Sequence, residues 1–273
     1  MYAFEIERPA TIQEAVALLA DEDATALAGG QTLIPTLKQR LAQPSKLVSL
    51  MHVEGLTGVE RCHDGRIKIR AGTTHGEAAR ALRDDYPALA YLASRIGDPA
   101  VRARGTIGGS LANDDPSACW PAGALASNAT IVTDRREIEA DDYFLGMFQT
   151  ALEPGEIIAE VRFPVPEAAA YAKFIQPASR FPLTASFVAR LKDGVRVAIT
   201  GASEEGVFRW AEAEAALAAD FSKASVMALD PPSQPMISDL HGTAEYRAHL
   251  CRVMTGRAVE QAAAGGPGQS SAG

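Results

Sequence analysis

The amino-acid sequence predicts an α+β protein: two mixed blocks followed by a smaller C-terminal α+β domain with an antiparallel sheet. Three observations carry that prediction. Strand-like and helix-like runs alternate over residues 4–50, short strands joined by tight turns follow residue 170, and between them residues 96–121 keep neither a helical nor a two-residue period.

The first block reads β-α-β-α-β. Residues 4–6 form a brief strand, and Thr11-Ile12-Gln13-Glu14 has the capping-box pattern, in which a hydroxyl and a carboxylate satisfy free amides at a helix start. That helix runs to Ala20, residues 24–28 form an apolar strand, and Gly29-Gly30-Gln31-Thr32 leads into a helix over 33–41 with Pro35 in its first turn. Residues 46–50 close the block as a strand.

The second block spans about 53–167. Residues 66–71 alternate like a half-buried strand, Gly72-Thr73-Thr74-His75 leads into a helix at 76–84, and Pro87 introduces another at 88–95. Pro121 opens a short helix over 122–127. Residues 130–133 and 137–139 flank Asp134-Arg135-Arg136 as a hairpin, Asp141-Asp142 precede a helical turn at 143–148, and residues 156–163 form a strand stopped by Pro164.

Residues 171–176, 186–191 and 195–200 are strand-like, the last two joined through Lys192-Asp193-Gly194, with a further short segment at 208–210. Residues 211–219 begin the helices, and residues 244–263 carry Tyr246, Leu250, Val253 and Met254 on one face of an amphipathic helix. Residues 171–263 thus read as a separate domain and residues 264–273 as a disordered tail.

Composition narrows the function. A chain of 273 residues suits two domains, and a net charge of -8 argues against nucleic acid or an anionic membrane as principal partner. The N-terminus lacks the pattern of a secretory signal and no apolar run is long enough to span a bilayer, so a cytoplasmic protein without membrane insertion is expected. Cys62, Cys119 and Cys251 are far apart and form no C-x-x-C pair, so any metal is expected on another chain. No hydrolase triad order, P-loop, H-E-x-x-H or G-x-G-x-x-G pattern occurs.

The stretch 96–121 is the ligand candidate. Gly97, Gly105, Gly108 and Gly109 surround Arg102 and Arg104, followed by Asp114, Asp115 and Pro116. Glycines admit close backbone approach to a bulky anion, so Thr106-Ile107-Gly108-Gly109-Ser110 reads as a phosphate cradle. Strand, glycine pair, helix at Ala28-Gly29-Gly30-Gln31-Thr32 repeats the device, since a helix start aims free N–H groups at an anion. Two such bends that meet in space would suit a pyrophosphate; either one alone also reads as a tight turn with no ligand.

Leu27-Ala28-Gly29-Gly30-Gln31-Thr32-Leu33-Ile34-Pro35, Ile96-Gly97-Asp98-Pro99, Arg102-Ala103-Arg104-Gly105-Thr106-Ile107-Gly108-Gly109-Ser110 and Leu152-Glu153-Pro154-Gly155-Glu156 together resemble the FAD-binding medium subunit of the molybdenum hydroxylases, the carbon monoxide dehydrogenase and xanthine dehydrogenase family. The resemblance covers nearly the whole chain. It implies an FAD-binding domain of the vanillyl-alcohol-oxidase (PCMH) type at 1–170, with subdomains of about 1–52 and 53–170, and a CO dehydrogenase flavoprotein-like C-terminal domain at 171–263. It further implies that Ala28, Gly29, Gly30, Gln31, Thr32 and Leu33, with Thr106, Ile107, Gly108, Gly109 and Ser110, hold FAD. By the same resemblance Ile96 is an apolar contact, Ile158 an aliphatic or main-chain contact, and Lys173 a cation near the flavin. Cys119, before Trp120-Pro121, stands where many relatives carry aspartate. A thiol does not accept hydrogen bonds as a carboxylate does, and Asp115 is the candidate substitute.

The implied protein is an oxidoreductase subunit that relays electrons through FAD from [2Fe-2S] clusters to an external acceptor. The clusters belong to a small partner subunit and the molybdopterin cofactor to a large one, in a dimer of heterotrimers. Two other readings stand beside it. One is a free-standing FAD-dependent oxidoreductase acting on a small organic substrate with His75 or Tyr143 as acid or base; the other is a non-enzymatic assembly subunit whose glycine turns are structural. His75 fits a helix-entry role better than covalent flavin attachment, Asp141-Asp142 fits a helix cap, and Cys62 and Cys251 fit packing.

Overall fold

A computed structural model describes residues 1–265. The tail assigned to 264–273 therefore lies outside the described residues from 266 onward. The first block consists of β1 (Glu5–Glu7), α1 (Ile12–Leu19), β2 (Ala24–Leu27), α2 (Leu33–Lys38) and β3 (Lys46–Ser49), with a parallel sheet in the order β1-β3-β2. Thr11 caps α1 by accepting from the Glu14 amide, while the Glu14 carboxylate reaches back to the Ala10 amide. Helix α2 stops short of residue 41, and Arg40 beyond its end turns left-handed at φ 61°.

The second block comprises β4 (Val59–Arg61), β5 (Ile67–Arg70), α3 (His75–Ala81), α4 (Pro87–Ser94), α5 (Pro99–Arg102), α6 (Ile107–Asn113) and α7 (Trp120–Ala126). It continues through β6 (Thr130–Thr133), β7 (Glu137–Glu139), α8 (Ala140–Tyr143), β8 (Phe144–Gly146), β9 (Gln149–Thr150) and β10 (Ile158–Phe163). Its main sheet has the order β4-β5-β10-β6-β7 and is antiparallel throughout.

Two expectations change here. Residues 143–148 do not make a helical turn: α8 ends at Tyr143, and β8 and β9 form a hairpin whose bend uses Gly146 at φ 151° and Phe148 at φ 56°. The aperiodic stretch contains two short helices, because Asp98 caps α5 through the Val101 amide and Thr106 caps α6 through the Gly109 amide. Capping residues and Pro99, rather than an apolar stripe, define them.

The C-terminal part contributes β11 (Ala168–Ile175), β12 (Pro182–Leu191), β13 (Gly194–Ser203) and β14 (Gly206–Arg209), an antiparallel meander, followed by α9 (Ala211–Ala219), α10 (Lys223–Met227) and α11 (Ala244–Ala263). Alternate side chains of this sheet enter two cores. Tyr171, Ala185, Phe187 and Ala198 join the cluster of Trp120, Leu89 and Leu92. Val188, Val197 and Ile199 pack with Trp210, Leu217, Met254 and Val259. The sheet is therefore the partition between two hydrophobic layers. Among the described residues no helix is long and apolar enough to cross a membrane.

The β6–β7 hairpin is tied to the loop before β10 through Glu156, whose side chain is fully buried. Its carboxylate accepts from Thr133 Oγ1 at 2.7 Å, from Arg136 and from the Glu153 amide at 2.8 Å. Burial by itself would raise this acid, but the bonds from Arg136, the Glu153 amide and Thr133 outweigh it and hold the group at about 2. Since the folded value lies below the unfolded one, the stabilisation is present above about pH 4.5 and disappears as pH falls toward about 2. Glu156→Gln is expected to cost about 2 kcal/mol at neutral pH, a difference that urea titrations should show closing in acid.

Candidate functional site

The blocks enclose a cleft of about 830 Å³, toward the upper end of ligand pockets at about 300–1,000 Å³. Its walls come from the β2–α2 bend, residues 96–98, residues 105–119, the segment before and at the start of β10, Lys173 and residues 178–182. The two glycine bends meet there. A Cβ placed on Gly29 would lie 1.9 Å from the Arg104 carbonyl oxygen, so only glycine permits this backbone contact. Gly109 completes the junction, its Cβ position being 3.5 Å from the Ala28 methyl group.

The bends differ in what they offer a ligand. Along the first, the amides of Gly29, Gly30, Gln31, Thr32 and Leu33 all line the cleft, and none donates to an acceptor among the described residues. Thr32 makes no side-chain cap bond. Gly30 turns the chain at φ 71°, which aims consecutive N–H groups into one concavity. Along the second bend the amides are already engaged. Ile107 donates to Thr73 O at 3.1 Å, Gly108 to Ala71 O at 2.9 Å, Gly109 to Thr106 Oγ1 at 3.1 Å and Ser110 to Thr106 O at 3.0 Å. The amides of residues 107–110 are thus not an open cradle as expected; the segment is the capped start of α6, and it presents the cleft with a low glycine surface and the Ser110 side chain.

Of the residues expected at the site, Ala28, Gly29, Gly30, Gln31, Thr32, Leu33, Ile96, Thr106, Gly108, Gly109, Ser110, Cys119, Ile158 and Lys173 line the cleft. Ile107 does not: its position in the first turn of α6 sends the side chain into the main core, where it is fully buried. Neither arginine of the 96–121 stretch is among the lining residues. Arg102 donates to the Ile96 and Gly97 carbonyls at 2.9 Å each, closing that turn, and Arg104 is outside the lining. The lining cations are Lys173 and Arg180.

Lys173 Nζ donates to the Arg95 carbonyl at 2.8 Å and lies 3.5 Å from Cys119 Sγ. Asp115 also faces the cleft, and its Oδ1 accepts from the Ser117 amide at 2.8 Å. Met51, Asn113, Ser117, Arg180 and Phe181 complete the walls. Asn113 and Ser117 belong to the stretch 96–121 marked in the sequence, whereas nothing local marked Met51, Arg180 or Phe181.

The acid–base candidates are committed to structure. Trp120 Nε1 donates to His75 Nδ1 at 3.0 Å, while Nε2 packs against Gly105, whose Cβ position is 2.7 Å away. Burial, with Arg102 nearby, pushes the His75 imidazole down to about 4, so it is neutral in this setting. Tyr143 is buried outside the lining and donates to the Leu111 carbonyl at 3.2 Å. Asp141 pairs with Arg196 and Arg209 of the C-terminal sheet. No group of three or more candidate metal ligands occurs among the described residues.

Comparison with known proteins gives a consistent picture. Residues 2–166 match the family described as the FAD binding domain in molybdopterin dehydrogenase. The chain is 35% identical to the nicotine 6-hydroxylase medium subunit of Paenarthrobacter nicotinovorans, over 96% of this chain and 98% of that one. It is likewise 35% identical to the carbon monoxide dehydrogenase medium chain of Afipia carboxidovorans, over 96% and 97%. The fold superposes on the solved carbon monoxide dehydrogenase of Hydrogenophaga pseudoflava with a TM-score of 0.90 at 33% identity, covering 96% of this chain and 98% of that one.

Behind the cleft wall, Asp114 ends α6 in a left-handed conformation, φ 40°, with its side chain buried and neither oxygen hydrogen-bonded among the described residues. Burial, reinforced by Asp115, raises its carboxyl to about 7. The folded chain therefore binds a proton that the unfolded chain has released, and stability falls as pH rises from about 4 to about 7. Asp114→Asn is expected to flatten that decline, giving a melting temperature above the parent's at neutral pH and near it in mild acid; equal pH slopes in calorimetry would contradict the assignment.

Proposed function

Because the chain belongs to the family of FAD-binding medium subunits of molybdenum hydroxylases, we propose that it relays electrons from a partner's [2Fe-2S] clusters, through FAD, to an external acceptor. Bound FAD supplies the redox chemistry; the chain supplies binding, orientation and exclusion of water. The observation that carries the reading is the run of free amides over residues 29–33 facing a cleft of this size.

Those amides are suited to the diphosphate, with the Thr32 hydroxyl as a further donor. Gly108 and Gly109 would let the cofactor approach the α6 start without side-chain obstruction. Ile96 and Ile158 offer apolar walls, Lys173 offers a cation, and Cys119 with Asp115 occupies the remaining polar wall. The relatives are named for nicotine and for carbon monoxide, and the two acid–base candidates read from the sequence, His75 and Tyr143, are both taken up by internal hydrogen bonds. In this proposal substrate chemistry belongs to a large subunit with a molybdopterin cofactor, electron delivery to a small [2Fe-2S] subunit, and the assembly is a cytoplasmic dimer of heterotrimers. The engagement of His75 and Tyr143 weighs against a free-standing oxidoreductase.

Purification of the native assembly tests this. Expected are one FAD on this chain, molybdenum and iron on co-purifying chains, and bleaching of the flavin by substrate only when those chains are present. Turnover of an organic substrate by the isolated yellow chain would overturn the relay. In the chain itself, Gly29→Ala is expected to force the two bends apart and weaken FAD retention at least about tenfold, measured by flavin fluorescence titration.

A further inference from the structure

We propose that Cys119 and Lys173 form an oxidation-driven covalent cross-link, sulfur to side-chain nitrogen, across the wall of the cleft. The two residues are 54 positions apart in sequence, one at the start of α7 and the other on β11, yet Nζ stands 3.5 Å from Sγ and both line the cleft. The lysine side chain is long and half-buried, so a small movement closes that gap, whereas the thiol is fixed at the end of a buried helix.

A second observation points to the same atoms. The Tyr171 hydroxyl is fully buried with the Cys119 thiol as its neighbour, and it meets no nitrogen or oxygen partner among the described residues. A buried hydroxyl whose sole polar neighbour is sulfur is poorly satisfied, and an oxygen carried on that sulfur would give it a better acceptor. Together an amine, a hydroxyl donor and a thiol facing a solvent-connected cleft make up the components of a sulfenic acid that is captured by nitrogen.

The chemistry balances with hydrogen peroxide as oxidant. Sulfur attacks one peroxide oxygen, the O–O bond breaks, and the departing hydroxide leaves as water with the thiol proton; sulfur is oxidised by two electrons and peroxide is reduced. Lys173, having released a proton to solvent, then attacks the sulfenic sulfur. The S–O bond breaks, an S–N bond forms, and the second oxygen departs as water with a proton from the nitrogen. The other thiols serve as internal references. Burial pushes Cys251 up to about 12, which makes it inert, and Cys62 is the more accessible of the three. The consequence, that oxidation withdraws two cofactor-facing side chains and impairs FAD loading, rests on the function proposed above; the cross-link itself does not.

The test is peroxide titration of the FAD-free full chain, followed by proteolysis and mass spectrometry. Expected is a peptide joining Cys119 to Lys173, lighter by two hydrogen atoms than its separate parts, released by dithiothreitol and formed before Cys62 is oxidised. Lys173→Arg should abolish the joined peptide and leave Cys119 as a sulfenic acid trapped by dimedone. Tyr171→Phe should slow the reaction about tenfold, the effect of losing one hydrogen bond to a charged or strongly polar oxygen. Oxidation of Cys119 without linkage in the parent chain, or prior reaction of Cys62, would overturn the proposal. Saturating FAD should suppress linkage. Undiminished linkage in a chain shown by absorbance to hold FAD would leave the cross-link standing and instead remove Cys119 and Lys173 from the cofactor site.

Discussion

The approach of Gly29 to the Arg104 carbonyl is the contact on which the rest of the site depends. It joins a parallel βαβ unit to the capped helix start of a different block, at a separation where no side chain fits. Because the backbone atoms touch, the bend at 29–33 cannot move without moving α5 and α6. Its unpaired amides are thereby held in a fixed concavity. In water such amides are solvated, so leaving them free costs little until a ligand or a closing wall displaces the solvent. Preorganisation of this kind lowers the ordering cost that binding would otherwise incur.

Electrostatics reinforces the point. The chain carries a net charge of -8, and Asp98, Asp115 and Glu156 line the cleft alongside Lys173 and Arg180. A dianionic group entering it meets no basic field. Oriented N–H dipoles and the start of α2 supply the attraction over a few ångströms, where their partial positive charges act without the long range of a cationic patch. Selectivity then follows shape: a diphosphate that fits the bend gains several bonds together, which an anion elsewhere in the cleft does not.

Much of this was legible in the residues. Thr11-Ile12-Gln13-Glu14 located α1, and the boundaries of α9 and α11 follow the sequence pattern to the residue. The bend at Ala28–Thr32 announced itself because strand, glycine pair and helix start were contiguous. The second bend misled because glycine pairs inside a capped helical turn look in sequence like those in an open loop; which amides remain free depends on Thr73 and Ala71, more than thirty residues upstream. Strand β12 begins at Pro182, ahead of the 186 expected, and in a sheet buried on both faces Thr184 donates to the Leu183 carbonyl while Ser186 accepts from Thr255 Oγ1 at 2.9 Å. Arg180 and Phe181 had no local signal, since only the return of the β11–β12 connection over the cleft gives them a role.

The partition sheet extends the argument from the bends to the whole chain. Thr200 Oγ1 on β13 donates to the carbonyls of Pro116 and Ala118 at 3.0 and 2.7 Å, and the Gly201 amide donates to Pro116 at 2.8 Å. Gly201 is left-handed at φ 84°, and a Cβ there would sit 2.6 Å from the Pro182 carbonyl. One strand therefore fixes both the wall at 116–118 and the loop end at 182, on two sides of the same cleft. The Asp141 carboxylate adds a second tie, between Arg196 and Arg209. With Tyr171 and Phe187 built into the core that also holds Trp120, the residues after 170 cannot detach without opening the site. Any ligand that spans the cleft must then stabilise the docking of the sheet as well as its own pocket, because the closed form alone binds it.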